Sequence, residues 1–342
     1  MSANSIEAFF SIGIQSAKGT AATTLYKTLA TVSMLDVRPK VRDNRIEHPS
    51  ASSAWRRTGL QTHRNFLANA TVTFVMRPKF IVPVLLAMGY QDTPANNTTY
   101  YTHALVQGTN ANHKWATIAW SVPDTAAAYV TRGVDCRCNN LQINVTPDEI
   151  QCTATFLGLT VEPMSGSPTY VSEVTDEMLP WLGARTTMTA GVSGSEYTIA
   201  ERVRGIQITL DNPLRDDDPA IWEETQTTLE RVDHDVSYNF TGIDVTDSID
   251  EAFMYGADAG SSVSTAARIG DVNLYWESAD DISGASVPYR FEIDTPSVQW
   301  LPTVGSRQAN GNDPITWDAV ANVIANVATP VSIEVDNSIA SY

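Results

Sequence analysis

Apolar and polar residues alternate along most of the stretch from Tyr129 to Val161. Val130, the run Asn139-Asn140-Leu141-Gln142-Ile143-Asn144-Val145 and the run Cys152-Thr153-Ala154-Thr155-Phe156-Leu157-Gly158 all carry the pattern. A period of two sends one face of a strand into a core and the other toward water. Thr146-Pro147-Asp148-Glu149 between the last two runs is turn chemistry. The expectation is an antiparallel pair at the heart of a mainly β chain. Upstream, the first fifteen residues form a short arm. Leu29 to Val37 and Ala70 to Met76 are predicted strands, separated by a polar, arginine-rich loop of about thirty residues with Trp55 in its middle. Pro78 to Gly89 reads as a short helix, with proline at its start and glycine at its end. Gln91 to Lys114 reads as an Asn- and Thr-rich loop, and Trp115 to Val122 and Ala128 to Val134 as strands.

The central pair has an echo. Leu141 to Val145 resembles Ile206 to Leu210, and Phe156 to Val161 resembles Phe240 to Val245. Val203 to Leu210 can be laid over the Leu29 to Val37 strand. Pro39 with Arg42-Asp43 follows one, and Pro213 with Arg215-Asp216 follows the other. A polar excursion with one tryptophan comes next in each, Trp55 or Trp222. A strand then returns, Thr71 to Met76 or Val236 to Thr241, and a short helix ends at Met88-Gly89-Tyr90 or Met254-Tyr255-Gly256. A strand ending in tryptophan follows, at Trp120 or Trp276. Tyr289 to Ile293, Val298 to Leu301 and Val331 to Val335 are the remaining predicted strands. A period of about 165 residues is too long for a solenoid and implies two similar domains, residues 1–165 and 166–342, with a boundary near Pro163 to Pro168. Trp317 to Val327 has apolar residues at helical spacing and is read as a helix of the second half only.

At 342 residues, 43% hydrophobic and 18% charged, the chain is long enough for two domains and globular in composition. Its net charge of -17 repels phosphate unless basic residues cluster. Cys136, Cys138 and Cys152 do not make a disulfide framework. Without a second ligand pair at metal spacing they read as packed thiols. Met1 to Phe10 lacks the basic start of a signal peptide, and the apolar run Phe80 to Met88 is too short to span a bilayer. A soluble protein made in a reducing compartment is expected. Gly13 to Thr20 imitates a phosphate loop, but Lys18 precedes Gly19 where the loop needs glycine before lysine, so it reads as an exposed turn. His48, His63, His103, His113 and His234 have no partnered Ser or Cys motif and read as solvated. Asp216-Asp217-Asp218 with Glu223-Glu224 lacks the calcium-loop glycine and spacing. No catalytic constellation, metal site or cofactor is expected, so the chain is not read as an enzyme.

The opening Gly-Ile-Gln-Ser-Ala-Lys-Gly-Thr, the helix ending Leu-Leu-Ala-Met-Gly, the pair around Asn140 to Ile143 and the closing Pro330 to Asn337 resemble the tail tube (major tail) proteins of long, flexible-tailed bacteriophages. The likeness spans nearly the whole chain, and none of its motifs is catalytic. It implies two tandem β-sandwich or half-barrel domains, each with a short flanking helix and one long loop. Such domains form rings of six around a channel, and the rings stack into the virion's tube for DNA ejection. Where the domain occurs twice, three chains make a pseudo-hexameric ring. The family also implies tail terminator, tape-measure and distal tail proteins as partners, and DNA that passes through the lumen without specific binding. No membrane is involved. A β-sandwich carbohydrate binder stacking sugars on Trp55, Trp222 or Trp317 is the alternative from another class. A secretion-system tube or a capsid decoration protein is the structural alternative.

The two long loops have opposite charge. Asp36 to Arg64 holds seven basic residues against Asp36, Asp43 and Glu47, a net of +4. Asp211 to Asp235 holds nine acidic residues against Arg215 and Arg231, a net of −7. In the family this loop reaches the neighbouring ring. The expected contact set is therefore Arg38, Arg42, Asp43, Arg45, Trp55, Arg56 and Arg57 from one loop. The other contributes Arg215, Asp216, Asp217, Asp218, Trp222 and Glu223. The acidic composition also leads to the expectation of a net negative lumen.

Overall fold

A computed structural model describes residues 9–28, 68–109, 112–122, 129–146, 149–163, 168–172, 187–192, 195–198, 203–215, 229–244, 268–303, 316–325 and 327–342. The chain is mainly β. Its first half contains β1 (Phe9–Ile14), β2 (Thr24–Thr28), β3 (Ala68–Val75), α1 (Pro78–Met88), β4 (Tyr90–Asn96), β5 (Tyr101–Gln107), β6 (Ala116–Val122), β7 (Tyr129–Val145) and β8 (Ile150–Pro163). β9 (Thr169–Ser172) follows and pairs in parallel with β2. The second half contains β10 (Thr187–Val192), β11 (Ser195–Thr198), β12 (Gly205–Asp211), β13 (Leu214–Arg215), β14 (Glu230–Arg231), β15 (Asp235–Asp244), β16 (Arg268–Asp281), β17 (Pro288–Thr303), β18 (Thr316–Val323) and β19 (Ser332–Asn337).

The expected central pair is β7 against β8, in register from Val145↔Ile150 back to Thr131↔Pro163 with one bulge beside Asn139. Thr146 closes the turn, its N–H donating to Glu149 O at 3.0 Å. Antiparallel pairings run β2–β1–β6–β7–β8–β3 in the first half. They run β11–β10–β16–β17–β18–β15 in the second. The two successions match strand for strand. The halves are joined by β12, which pairs with β15 on one side and β7 on the other, and by β19, which pairs with β17 and β5. With β9 on β2, strand ladders therefore cross the expected boundary three times.

α1 opens with Pro78, where a missing N–H costs nothing, and stops at Gly89, whose φ of 105° is left-handed. Ten of its residues are buried, as a helix apolar all round requires. It lies on the core face of the sheet among Phe10, Phe74, Phe156, Ile143 and Val335.

Several expectations are corrected. The first-half arm contributes a core strand, because Phe10 and Ile12 are buried in β1. Gln91 to Lys114 holds the hairpin β4–β5 rather than an open loop. Ala128 to Val134 and the run from Asn139 are one strand, as are Tyr289 to Ile293 and Val298 to Leu301. Trp317 to Val327 is not a helix. Thr316–Val323 is a strand between β15 and β17 with Ala319 and Ala321 buried, so period two wins over helical spacing. The Leu29 to Val37 strand and the helix ending at Met254-Tyr255-Gly256 lie outside the described residues.

Candidate functional site

Seven consecutive strands, β3–β8–β7–β12–β15–β18–β17, form one antiparallel surface that runs from the first half into the second. Its inner side is core: Val72, Phe74, Ala154, Cys152, Leu141, Ile143, Ile208, Leu210, Tyr238, Phe240, Ala321 and Trp300 are all buried. Alternation therefore fixes what faces outward.

One row across those strands reads Thr73, Thr153, Gln142, Thr209, Ser237, Asn322 and Gln299, each directly opposite the next. All seven are half-buried and carry a hydroxyl or a carboxamide. The adjacent row reads Val75, Gln151, Asn144, Gln207, Asn239, Val320 and Leu301, carboxamides in the middle and aliphatics at both ends. Neighbouring hydroxyls bond across the strands, Thr73 to Thr153 at 3.1 Å and Thr71 to Thr155 at 3.4 Å. None of these fourteen positions is charged or aromatic. A soluble surface is ordinarily about 25–35% Lys, Arg, Glu and Asp, and this chain has 39 acidic residues to place. Beyond these two rows the same strands carry charge, in Asp211 opposite Asp235, in Asp318, in the Arg132–Glu162 pair of β7 and β8, and in Arg290 and Glu292 of β17.

A different chemistry holds the root of the acidic excursion. Asn212 donates its side-chain N–H to Cys138 O at 2.9 Å, and Leu214 N donates to Asn139 Oδ1 at 2.9 Å. On the returning side Arg137, buried in β7, donates to Leu229 O and to His113 O, and its guanidinium lies 3.9 Å from the centre of the Trp115 ring. Burial lowers the Arg137 pKa to about 10, which leaves it cationic at neutral pH. Arg231 donates to Gly108 O at 2.7 Å, and Tyr90 Oη meets His234 Nε2 at 3.2 Å. The stem between these anchors is the two-stranded ladder β13–β14.

His103, His113 and His234 are not solvated as expected, and His48 and His63 lie outside the described residues. His103 is fully buried, with Nδ1 on Asp92 Oδ2 at 2.7 Å and Nε2 on Ile339 O at 2.9 Å. Both ring nitrogens are engaged, so it ties Ile339 to β4. His113 is buried on Ala87 O at 2.7 Å. Its pKa falls to about 3, from burial first and Arg137 second. His234 falls to about 4 for the same reasons, with Arg231 as the neighbouring charge. Cys136, Cys138 and Cys152 are buried free thiols, and burial pushes all three upward, Cys138 to about 12, away from reactive thiolate. Among the described residues no cluster of His, Cys, Asp and Glu could hold a metal, and no helix is long and apolar enough to cross a membrane.

Of the expected contact residues, Arg215 is described. It is exposed in β13, opposite Glu230. Arg38, Arg42, Asp43, Arg45, Trp55, Arg56, Arg57, Asp216, Asp217, Asp218, Trp222 and Glu223 lie outside the described residues. Sequence reasoning missed the neutral face itself. Its signal was present in the carboxamides and hydroxyls that alternate with apolar residues in β7, β8 and β12, but which strands lie side by side is a property of the fold. No protein-family model matches the chain, and no curated protein matches it.

Proposed function

We propose that this chain is the structural subunit of a phage tail tube. Two similar β domains per chain, three chains per ring and rings stacked end to end would make a conduit for DNA. The observation that carries the reading is the pair of uncharged rows that crosses seven strands and both halves. DNA presents about one negative charge per 1.7 Å of axis. A wall bearing Lys or Arg would hold it by releasing counterions, and a wall of hydroxyls and carboxamides gives it nothing to pair with. The matching order of pairings in the two halves supports a duplicated domain. The correction at β18 removes the departure from duplication that the sequence suggested, because β18 takes the place in its half that β8 takes in the first. A sugar-binding face would need aromatic platforms, and the fourteen central positions offer none.

Mass measurement and negative-stain microscopy of the purified chain test this. Rings of three chains with a central hole, stacking into tubes, are expected. Particles of one chain at all concentrations would end the reading, and rings of six full chains would end the duplication argument.

The loops belong to the same proposal. The acidic excursion is tethered at its root by Arg137 and Arg231, and the basic loop from Asp36 to Arg64 is its counterpart in charge. Complementary charge between rings sets register more than affinity. Exposed pairs contribute only about 0–1 kcal/mol each. Arg56→Glu with Arg57→Glu should leave single rings intact and shorten or abolish tubes. Tubes of normal length from that variant would remove the loop from the junction.

A further inference from the structure

A cavity of about 610 Å³ opens beside the end of α1, between the chain that leaves β1, the start of β4 and the segment that enters β6. Ligand clefts hold about 300–1,000 Å³, with mostly apolar walls and a few polar groups. Here Ile14, Leu86 and Pro94 supply aliphatic wall, and Gln15, Asp92 and His113 supply polar wall. The polar three are fixed by bonds made elsewhere. Gln15 N donates to Trp115 O at 2.8 Å, Asp92 Oδ2 meets His103 Nδ1 at 2.7 Å, and His113 Nε2 donates to Ala87 O at 2.7 Å.

Their remaining polar atoms are unmet. Gln15 is 5% exposed, and both of its amide atoms are buried without a hydrogen-bond partner. Asp92 Oδ1 and His113 Nδ1 are buried in the same state. These are four of the ten such atoms among the described residues, so the deficit is concentrated at this one wall. Folded proteins pair nearly all buried polar groups, and a cluster left over calls for an outside partner. Lys114 also lines the cavity, but it is exposed and none of the four atoms bonds to it. The sense of the unmet bonds selects the partner. His113 carries its hydrogen on Nε2, because a carbonyl only accepts, so Nδ1 offers a lone pair. Gln15 Oε1 and Asp92 Oδ1 accept as well. Three unmet acceptors stand against one unmet donor, Gln15 Nε2.

We propose that this cavity binds an organic cation, a primary ammonium group on a short aliphatic stem. The ammonium carries three N–H donors and no acceptor, matching Gln15 Oε1, Asp92 Oδ1 and His113 Nδ1. The stem lies along Ile14, Leu86 and Pro94. The three acceptors are closed over by the wall, and small rotations of the Gln15 and Asp92 side chains bring them to the ligand. The net charge of -17 favours a cation at a polar cleft of this chain. The site is independent of how the chain assembles.

Calorimetric titration of the purified chain with butylammonium chloride tests the proposal. Tetramethylammonium chloride is the comparison, because it has the same charge and no N–H. Butylammonium should bind saturably and raise the melting temperature, and tetramethylammonium should do neither at the same concentration. Gln15→Leu replaces an unpaired carboxamide by an apolar group of similar size. It should melt at or above the wild-type temperature and bind butylammonium at least tenfold more weakly. An equal response to the two cations, no saturable binding, or wild-type affinity in Gln15→Leu would overturn the site. A Gln15→Leu chain that melts below wild type would overturn it too, because the carboxamide would then already have its partners within the fold. Each of these results leaves the tube reading standing.

Discussion

At the scale of single residues, the described chemistry is concentrated where the second half grips the first. Arg137 replaces its hydration with two backbone carbonyls and the face of Trp115, and a charged hydrogen bond of this type is worth about 1.5–3 kcal/mol. Two imidazoles sit in the same cluster with their Nδ1 atoms buried and without a partner. The carbonyl of Ala87 only accepts, so His113 keeps its hydrogen on Nε2 and stays neutral. The folded pKa values of about 3 for His113 and about 4 for His234 lie below the ordinary 6.5. Between those values the unfolded chain binds more protons than the folded one, so stability is complete above pH 6.5 and declines as pH falls toward 4. The loss is on the order of 3–5 kcal/mol per imidazole at its limit. Urea midpoints at pH 7 and pH 4.5 should therefore differ, and His113→Gln should flatten the difference. An unchanged difference in that variant would place the titration elsewhere.

At the scale of elements, the turn from β1 toward β2 is limited by backbone contact. A Cβ on Gly13 would stand 2.2 Å from Thr24 O and 2.8 Å from a methyl of Leu25. Carbonyl oxygen in a strand cannot move aside cheaply, so Gly13→Ala should cost about 1–3 kcal/mol by overpacking. Gly89→Ala meets nothing closer than 3.5 Å and has only its left-handed φ against it, a cost of about 1 kcal/mol. Thermal melts of the two variants check the order, and an equal or smaller loss at Gly13 would contradict the packing.

The same elements mark what the sequence could reveal. β7, β8, β12 and β15 were legible because each alternates cleanly and has one face on a core. The helix α1 was legible from Pro78 and Gly89. β18 was not, because Trp317, Val320, Ala321 and Ile324 fall at helical spacing. Its burial of Ala319 and Ala321 is decided by β15 and β17 on either side, a tertiary effect that outweighs local preference. The β4–β5 hairpin was hidden by its polar outer strand, in which Thr93 to Asn96 are exposed. The neutral face was half legible: each strand announces its polar side, but its continuity over seven strands depends on β12 inserting between β15 and β7.

At the scale of the whole molecule, the distribution of charge is the unusual feature. The chain carries -17 overall, yet the rows through Gln142 and Asn144 carry none. The acidic composition led to the expectation of a negative lumen, and the face proposed to line it is neutral instead. Both signs have a drawback in a wall that DNA must pass. Arginine and lysine pair with phosphate, and carboxylates recruit divalent cations that can bridge to phosphate. Hydroxyls and carboxamides are as well satisfied by water as by DNA, so the wall stays wet. Charge elsewhere on the subunit is screened over about 8 Å at physiological salt. The prediction is asymmetric. Gln142→Arg with Thr209→Arg puts two adjacent guanidinium groups on the face of each chain, because those residues stand directly opposite each other on β7 and β12. Both positions are half-buried on the outer side, so folding and ring formation should survive. Assembled tubes of the variant should retain duplex DNA, and the retention should weaken with salt at a slope of about −0.9 per phosphate contacted. Particles carrying them should release DNA more slowly than wild type. Gln142→Ser with Thr209→Ser, which keeps the face neutral, should release it at the wild-type rate. Unimpeded release and no retention by the arginine variant would mean that this face does not line the passage.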